Sequence, residues 1–381
     1  MAGRAESPST LAGHALGDAV CRSAKDMPAY GRLGLGPVLP QICRIAGGTE
    51  VEYRKLGRTH ITVSVLALGC WAFAGGANWG EQDDAASIAT VRAALDAGVN
   101  FFDTAEGYGA GRSEAVLGKA LEGRRHEAVI ATKVSRANLS PPDLERACER
   151  SLRHLNTDYI DLYQIHWPSR TVPLEQSVEA LERLRQQGKV RAIGVCNFGV
   201  QDLSQLWAIG HAETNQLPYS LIWRAIEYEV LPQCVKGDMG VLCYTPLAQG
   251  MLTGKFASAD DVPAGRARTR HFTRRRPGAR HDEEGCEEDT FAAIHQIRRI
   301  SDTINVSMAN LSLAWLLHQP GVTAVLAGAR KPEQLMENLQ AVALELSPEI
   351  VRELGKVTDQ LKLRLGANPD QYLGSAESRF R

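Results

Sequence analysis

The 381-residue chain has little excess charge, with 43 basic side chains against 44 acidic ones and a formal net charge of −1. A near-neutral chain carries no bulk attraction for nucleic acid or for an anionic membrane surface. Nor does it contain an apolar run approaching the eighteen or so residues that a membrane span needs, and no charged-then-apolar signal opens it. Its eight cysteines (21, 43, 70, 148, 196, 234, 243 and 286) form no Cys-x-x-Cys pair and no Cys/His ligand spacing. Neither a zinc site nor a disulfide framework is therefore expected, and a reducing, cytoplasmic setting fits. Also missing is a Gly-x-Gly-x-x-Gly turn after the first strand, which argues against a doubly wound dinucleotide-binding sheet.

What the chain has is rhythm. Residues 1–50 are rich in Gly, Ala, Ser and Pro without a sustained period, and read as a poorly ordered extension; the acids Glu6, Asp18 and Asp26 weigh against a transit peptide. From about residue 53, "YRKLGRTHITVSVLALGCW" reads as a hairpin feeding an apolar strand that ends at Gly69. Apolar strands and amphipathic helices then alternate. The further strands are expected at 99–105, 128–134, 159–167, 190–198, 213–221, 240–247 and 323–329, and the helices at 83–97, 112–122, 142–155, 174–187, 200–209, 225–236, 307–318 and 332–343. Continuously apolar strands covered by helices make a parallel sheet, and eight such units close a barrel. The expected fold is an α/β (β/α)8 barrel over 51–381, with an N-terminal β-hairpin. A long loop with an extra helix follows the seventh strand (248–304), and another helix closes the chain near 348–362.

In such a barrel the polar residues at C-terminal strand ends converge on one mouth. The second strand ends in "FFDTAEGYG", offering Asp103 and Tyr108; the third offers Lys133 in "IATKV"; the fourth offers His166 in "YQIHW". A lysine paired with an aspartate stays charged, and an ammonium beside a phenol favours the phenolate, so Tyr108 is expected to have a lowered pKa and to serve as a general acid. His166 can donate a hydrogen bond to a carbonyl oxygen. Taken one at a time, Lys133 and His166 are as well explained by ordinary packing.

These residues, with "GVCNF", "YTPLAQGMLTGKF" and "GARKPEQLMENL", make the chain from about 53 to 343 resemble the aldo-keto reductases. The resemblance implies a catalytic tetrad of Asp103, Tyr108, Lys133 and His166, with NADPH as cofactor and a small carbonyl compound as substrate, and no metal. It implies that Asn197 and Gln216 hold the nicotinamide carboxamide and that Tyr244 stacks on the ring. Leu252, Gly254 and Lys255 would lie against the diphosphate, and Gly328, Arg330, Gln334 and Asn338 would contact the adenosine end. Cys70 and Trp71 join this set after the first strand, whereas Cys196 departs from the serine or threonine common beside the asparagine. Independently of any resemblance, Pro332 opens a helix just after Arg330, and free N–H groups with a planar guanidinium suit a phosphate.

Trp71 and Trp167 are candidates to line an apolar substrate pocket, while Trp223 fits core packing better. The run "RARTRHFTRRRPGARHDEEGCEED" is basic and then acidic, and reads as a solvated loop or a lid over cofactor or substrate, not as a nucleic-acid site. The alternative function is a non-catalytic NADPH-binding redox sensor, as in the barrel β-subunits of potassium channels, where the histidine position is typically occupied otherwise. Oligomeric state and physiological substrate are not legible.

Overall fold

The structure is a computed structural model that describes Gln41–Arg44 and residues 50–381. Of the expected poorly ordered extension over 1–50, residues 1–40 and 45–49 lie outside the described residues, whereas Gln41–Arg44 and Glu50 are in strands. Strand β1 (Gln41–Arg44) pairs antiparallel with β2 (Glu50–Lys55), and β2 with β3 (Thr62–Ser64). Eight strands then close a fully parallel barrel: β4 (Leu66–Gly69), β5 (Phe101–Asp103), β6 (Val129–Val134), β7 (Ile160–Ile165), β8 (Val190–Cys196), β9 (Thr214–Pro218), β10 (Gly240–Tyr244) and β11 (Val322–Gly328). Consecutive strands neighbour one another around the ring, and β11 returns to β4.

The strands are apolar on both faces because both are buried. Inward residues Ala67, Phe101, Ala131, Leu162, Ala192, Leu242, Ala324 and Leu326 pack in the barrel interior with Leu56, Ile61 and Val63 of the hairpin. The hairpin thus plugs the N-terminal end. Arg54 fastens it, donating to the carbonyls of Val322 at 2.6 Å and Leu317 at 3.0 Å, and the Asn100 amide bridges Ser64 and Thr62. Among the described residues, the C-terminal mouth is thus the end of the barrel without such a plug from the hairpin.

Outward residues meet the helical layer: α2 (Asp84–Asp96), α3 (Arg112–Ala120), α4 (Pro141–Leu155), α5 (Leu174–Gln186), α6 (Val200–Ile209), α7 (Val230–Lys236), α9 (Met308–Leu317) and α10 (Pro332–Leu339). A short α1 (Gly76–Trp79) at the mouth was not anticipated; α8 (Glu287–Thr303) and α11 (Pro348–Leu365) are the expected additions. The helix expected over 225–236 is divided: a 3₁₀ turn, Ala225–Glu227, precedes α7. Pro232 accounts for this, since proline lacks an N–H and is tolerated in a first turn but not inside a longer helix.

Close approach of α3 and α4 depends on Gly118, where an added Cβ would lie 2.5 Å from the Leu155 carbonyl oxygen and 2.8 Å from that of His154. Both obstacles are backbone, so the helices themselves must move. Gly118→Ala should cost roughly 1–3 kcal/mol, seen as a lower urea midpoint at unchanged slope; an unaltered midpoint would show that this packing has slack.

Candidate active site

β5 and β6 are adjacent and in register, pairing Asp103 with Ala131, so Lys133 projects from one strand beside Asp103 on the next. Lys133 is completely buried and Asp103 nearly so. The Lys133 ammonium donates to Asp103 Oδ1 and to the Thr104 carbonyl, both at 2.7 Å, and reaches the Tyr108 hydroxyl at 3.2 Å. The second carboxylate oxygen of Asp103 accepts from Gln216 Nε2 at 2.7 Å and from Gln164 Nε2 at 3.5 Å. Burial works against the Lys133 charge, but the Asp103 carboxylate and the Tyr108 phenol outweigh it and hold the pKa above the usual lysine value.

Tyr108 lies in the loop after β5. Its carbonyl accepts from Ser113 N at the start of α3, and Glu106 braces the loop by accepting from Ser135 N at 2.7 Å and Asn138 Nδ2 at 2.9 Å. The phenol ring is stacked with Trp71 at 5.9 Å and meets His166 edge-on at 5.9 Å. Its pKa is pushed up to about 12, which corrects the lowering expected from Lys133. The lysine does act in the expected direction, yet desolvation of the phenolate is larger and Asp103 cancels part of the lysine field. His166 moves the other way: burial, then the charges of Lys133 and Arg379, push its pKa down to about 3, leaving a neutral imidazole. The mouth therefore presents a protonated phenol backed by an ammonium, beside a neutral imidazole.

Around the rim, Asn197 directly follows β8 with φ of 63° and spends both side-chain atoms on protein: Nδ2 donates to the His166 carbonyl at 3.0 Å and Oδ1 accepts from the Tyr244 hydroxyl at 2.8 Å. Gln216, placed by sequence among the cofactor contacts, lies inside β9 and is engaged by Asp103 through its amide nitrogen. Cys70 is fully buried, its thiol on the Leu68 carbonyl at 3.5 Å and its own carbonyl accepting from Ser113 Oγ at 2.8 Å, so its side chain is not offered to a ligand. Cys196 is buried as well. Trp167 is partly buried against Phe380, and Trp223 is wholly core, as expected.

The loop after β10 turns through Ala248–Thr253, with Gly250 at φ 97° and Gly254 at φ 81°. An added Cβ on Gly250 would come within 2.8 Å of Lys255 Nζ. Leu252 is buried beneath this turn, while Lys255 is exposed. That same Cβ position on Gly250 lies 3.6 Å from Arg266 Nη1, so the two cations are close together, and partial desolvation of the ammonium, then the charge of Arg266, lower the Lys255 pKa. Arg266 lies over the Trp79 ring at 5.7 Å. Sequence reasoning flagged its arginine-rich run but did not single it out.

At the end of β11, Gly328 is exposed, its carbonyl approached by Asn338 Nδ2 at 3.5 Å. Arg330 N donates to Gln334 Oε1 at 2.9 Å. The Arg330 guanidinium donates to Gln82 Oε1 at 2.5 Å and to the Glu81 carbonyl. Gln82, which orients that guanidinium, was also missed; a lone glutamine in a loop carries no signal of its own.

The family model for the Aldo/keto reductase family matches residues 65–359, and the chain belongs to that family. Among curated relatives it is 35% identical to aldo-keto reductase YhdN of Bacillus subtilis (81% of this chain, 94% of that one) and 32% identical to the NADH-specific methylglyoxal reductase of Escherichia coli (80% and 98%). It is 30% identical to a probable voltage-gated potassium channel subunit beta of Oryza sativa (81% and 96%). Among solved structures, the aldo-keto reductase of Klebsiella pneumoniae in complex with NADPH superposes with a TM-score of 0.62 at 30% identity, over 78% of this chain and 92% of that one.

The neutral state of His166 is directly measurable. On lowering the pH from 7 to about 4, its ring resonances should stay at their neutral positions; a midpoint near the ordinary value of about 6.5 would mean that water reaches the ring.

Proposed function

We propose that the barrel mouth reduces an aldehyde or ketone to the alcohol with NADPH as reductant and Tyr108 as the general acid. The observation that carries this reading is the buried Lys133 ammonium, held by Asp103 and placed 3.2 Å from the Tyr108 hydroxyl.

The donor set suits the cofactor. Lys255 and Arg266 are neighbouring cations beside the turn to which Leu252 and Gly254 also belong. Arg330 presents a guanidinium pre-oriented by Gln82 and Glu81 where a 2′-phosphate would be read, with Gly328, Gln334 and Asn338 around it. Asn197 and Gln216 each keep unused hydrogen-bonding capacity for a carboxamide, and Tyr244 and Trp71 supply flat surfaces at the mouth. When bound, the reduced nicotinamide supplies a hydride to the carbonyl carbon.

The chain's own residues handle the proton. Neutral His166 donates a hydrogen bond to the substrate oxygen and orients it. Tyr108 gives its proton to that oxygen as negative charge develops there, and Lys133 stabilises the phenolate left behind. A phenol with a raised pKa suits this task. It does not ionise before the substrate arrives, and an alkoxide is basic enough to take its proton.

The sensor reading has support from the channel-subunit relative. The intact Tyr108, Lys133 and His166 assembly favours the reductase. Tyr108→Phe should retain NADPH binding, followed by fluorescence, and lose carbonyl reduction by about 10²–10⁴-fold, the usual weight of a positioned acid; unchanged turnover removes Tyr108 from that role. Tight NADPH binding without turnover of any carbonyl by the wild type would favour the sensor. Arg330→Ala should weaken NADPH about tenfold or more while sparing NADH, since a charged bidentate contact to phosphate is lost; equal weakening of both cofactors would sink the 2′-phosphate role.

A further inference from the structure

Strand register sets Lys133, Gln164, Gly194 and Thr214 side by side on β6, β7, β8 and β9. Side chains alternate along a strand, so residues two apart share a face. Two residues earlier on β6, β7 and β8 stand Ala131, Leu162 and Ala192, which pack in the apolar barrel interior. Two residues after Gln164 comes His166, and two after Thr214 comes Gln216. The four residues therefore make one layer, directly between the apolar floor and the groups of the mouth.

Gln164 is fully buried in that layer. Its Nε2 points to Asp103 Oδ2 at 3.5 Å, behind the 2.7 Å contact from Gln216, and among the described residues its Oε1 finds no donor. Gly194 makes room for it: a Cβ there would lie 2.9 Å from Gln164 Cγ and 2.6 Å from Thr214 Oγ1. Thr214 Oγ1 is likewise buried without a partner. Burying a primary amide with half of its capacity unused is costly. An apolar side chain of the same length would fill the site without that cost, as Leu162 does one layer below. What the amide has that an apolar side chain lacks is its donor to Asp103.

Asp103 must hold the Lys133 ammonium at 2.7 Å for that ammonium to stand 3.2 Å from the Tyr108 hydroxyl. We propose that Gln164 is a positioning residue for the proton transfer from Tyr108, fixing the Asp103 carboxylate from below and through it the Lys133 ammonium. This rests on the reductase reading. Gln216 is divided between Asp103 and the carboxamide it is proposed to hold, whereas Gln164 lies a layer deeper and keeps a donor on Oδ2 with or without cofactor.

Gln164→Met keeps the length of the side chain and removes its polar atoms, so the variant should fold with an unchanged or higher urea midpoint. Its kcat for carbonyl reduction should fall about threefold to tenfold, while the Kd for NADPH, followed by fluorescence, changes by about twofold at most. A hydrogen bond to a charged form favours that form, so its loss should also move the acid limb of the pH profile of kcat to higher pH. The titratable groups facing Asp103, all kept in the variant, are Lys133 from β6, Tyr108 from the loop after β5, and the buried thiols Cys70 after β4 and Cys196 at the end of β8. Unchanged kcat with an unmoved acid limb overturns the proposal. A lower urea midpoint with kcat and NADPH affinity falling together makes Gln164 a structural residue and overturns it as well.

The Lys133 ¹³Cε resonance separates this proposal from the reductase reading, because it requires no turnover. On acidification it responds to the loss of its counter-ion, and it should do so at higher pH in Gln164→Met than in the wild type. That difference in a protein that reduces no carbonyl supports the role of Gln164 and counts against the reductase reading alone. Identical Lys133 profiles in the two proteins count against Gln164.

Discussion

Lys133 carries a full charge at a position with no exposure to water, an arrangement that costs several kcal/mol unless a partner offsets it. Asp103 is that partner, and the pair cannot be understood one residue at a time. The carboxylate keeps the ammonium ionised; the ammonium, two amides and the Thr104 carbonyl satisfy what burial would otherwise leave unpaired. The proposed proton transfer depends on this buried pair being held beside the Tyr108 hydroxyl. The barrel supplies the rigidity: β5 and β6 lock the two residues in register, and the plugged N-terminal end leaves the opposite rim as the place where function can reside.

The same burial that makes the pair costly separates the protonation behaviour of its neighbours. Desolvation raises the Tyr108 phenol and lowers the His166 imidazole, so both stay neutral over a wide pH range although both lie near a permanent cation. A solvent-exposed tyrosine next to a lysine would tend toward ionisation. Here the low dielectric reverses that tendency, and in the proposed reaction the lysine acts mainly on the charge that appears after the proton has left.

The loop after β10 and the C-terminal segment complete the rim with arginines sorted by partner. Those facing the acidic block brace the loop, Arg266 lies by Lys255 and Trp79 where phosphate chemistry is proposed, and Arg268 and Arg280 lie over the ring of Tyr372. A single basic run in the sequence thus serves three different neighbourhoods. No feature of the run itself distinguishes Arg276 from Arg280; their partners lie in separate parts of the fold.

The sequence by itself determined the barrel, because strand and helix periodicities are local and eight repeats leave one closed solution. It also determined which strand ends carry Asp103, Lys133 and His166, since a polar residue closing an apolar run is visible in one dimension. Tertiary structure alone decided the sign of the Tyr108 shift, which follows from how much water the assembled mouth excludes. It decided as well that Gln216 turns to Asp103 and that Gln82 orients Arg330. All three depend on residues far apart in the chain and brought together only by closure of the barrel, where desolvation and pairwise distance, not composition, set the energies. The division of the expected helix before α7, by contrast, follows from Pro232 and was legible in the sequence.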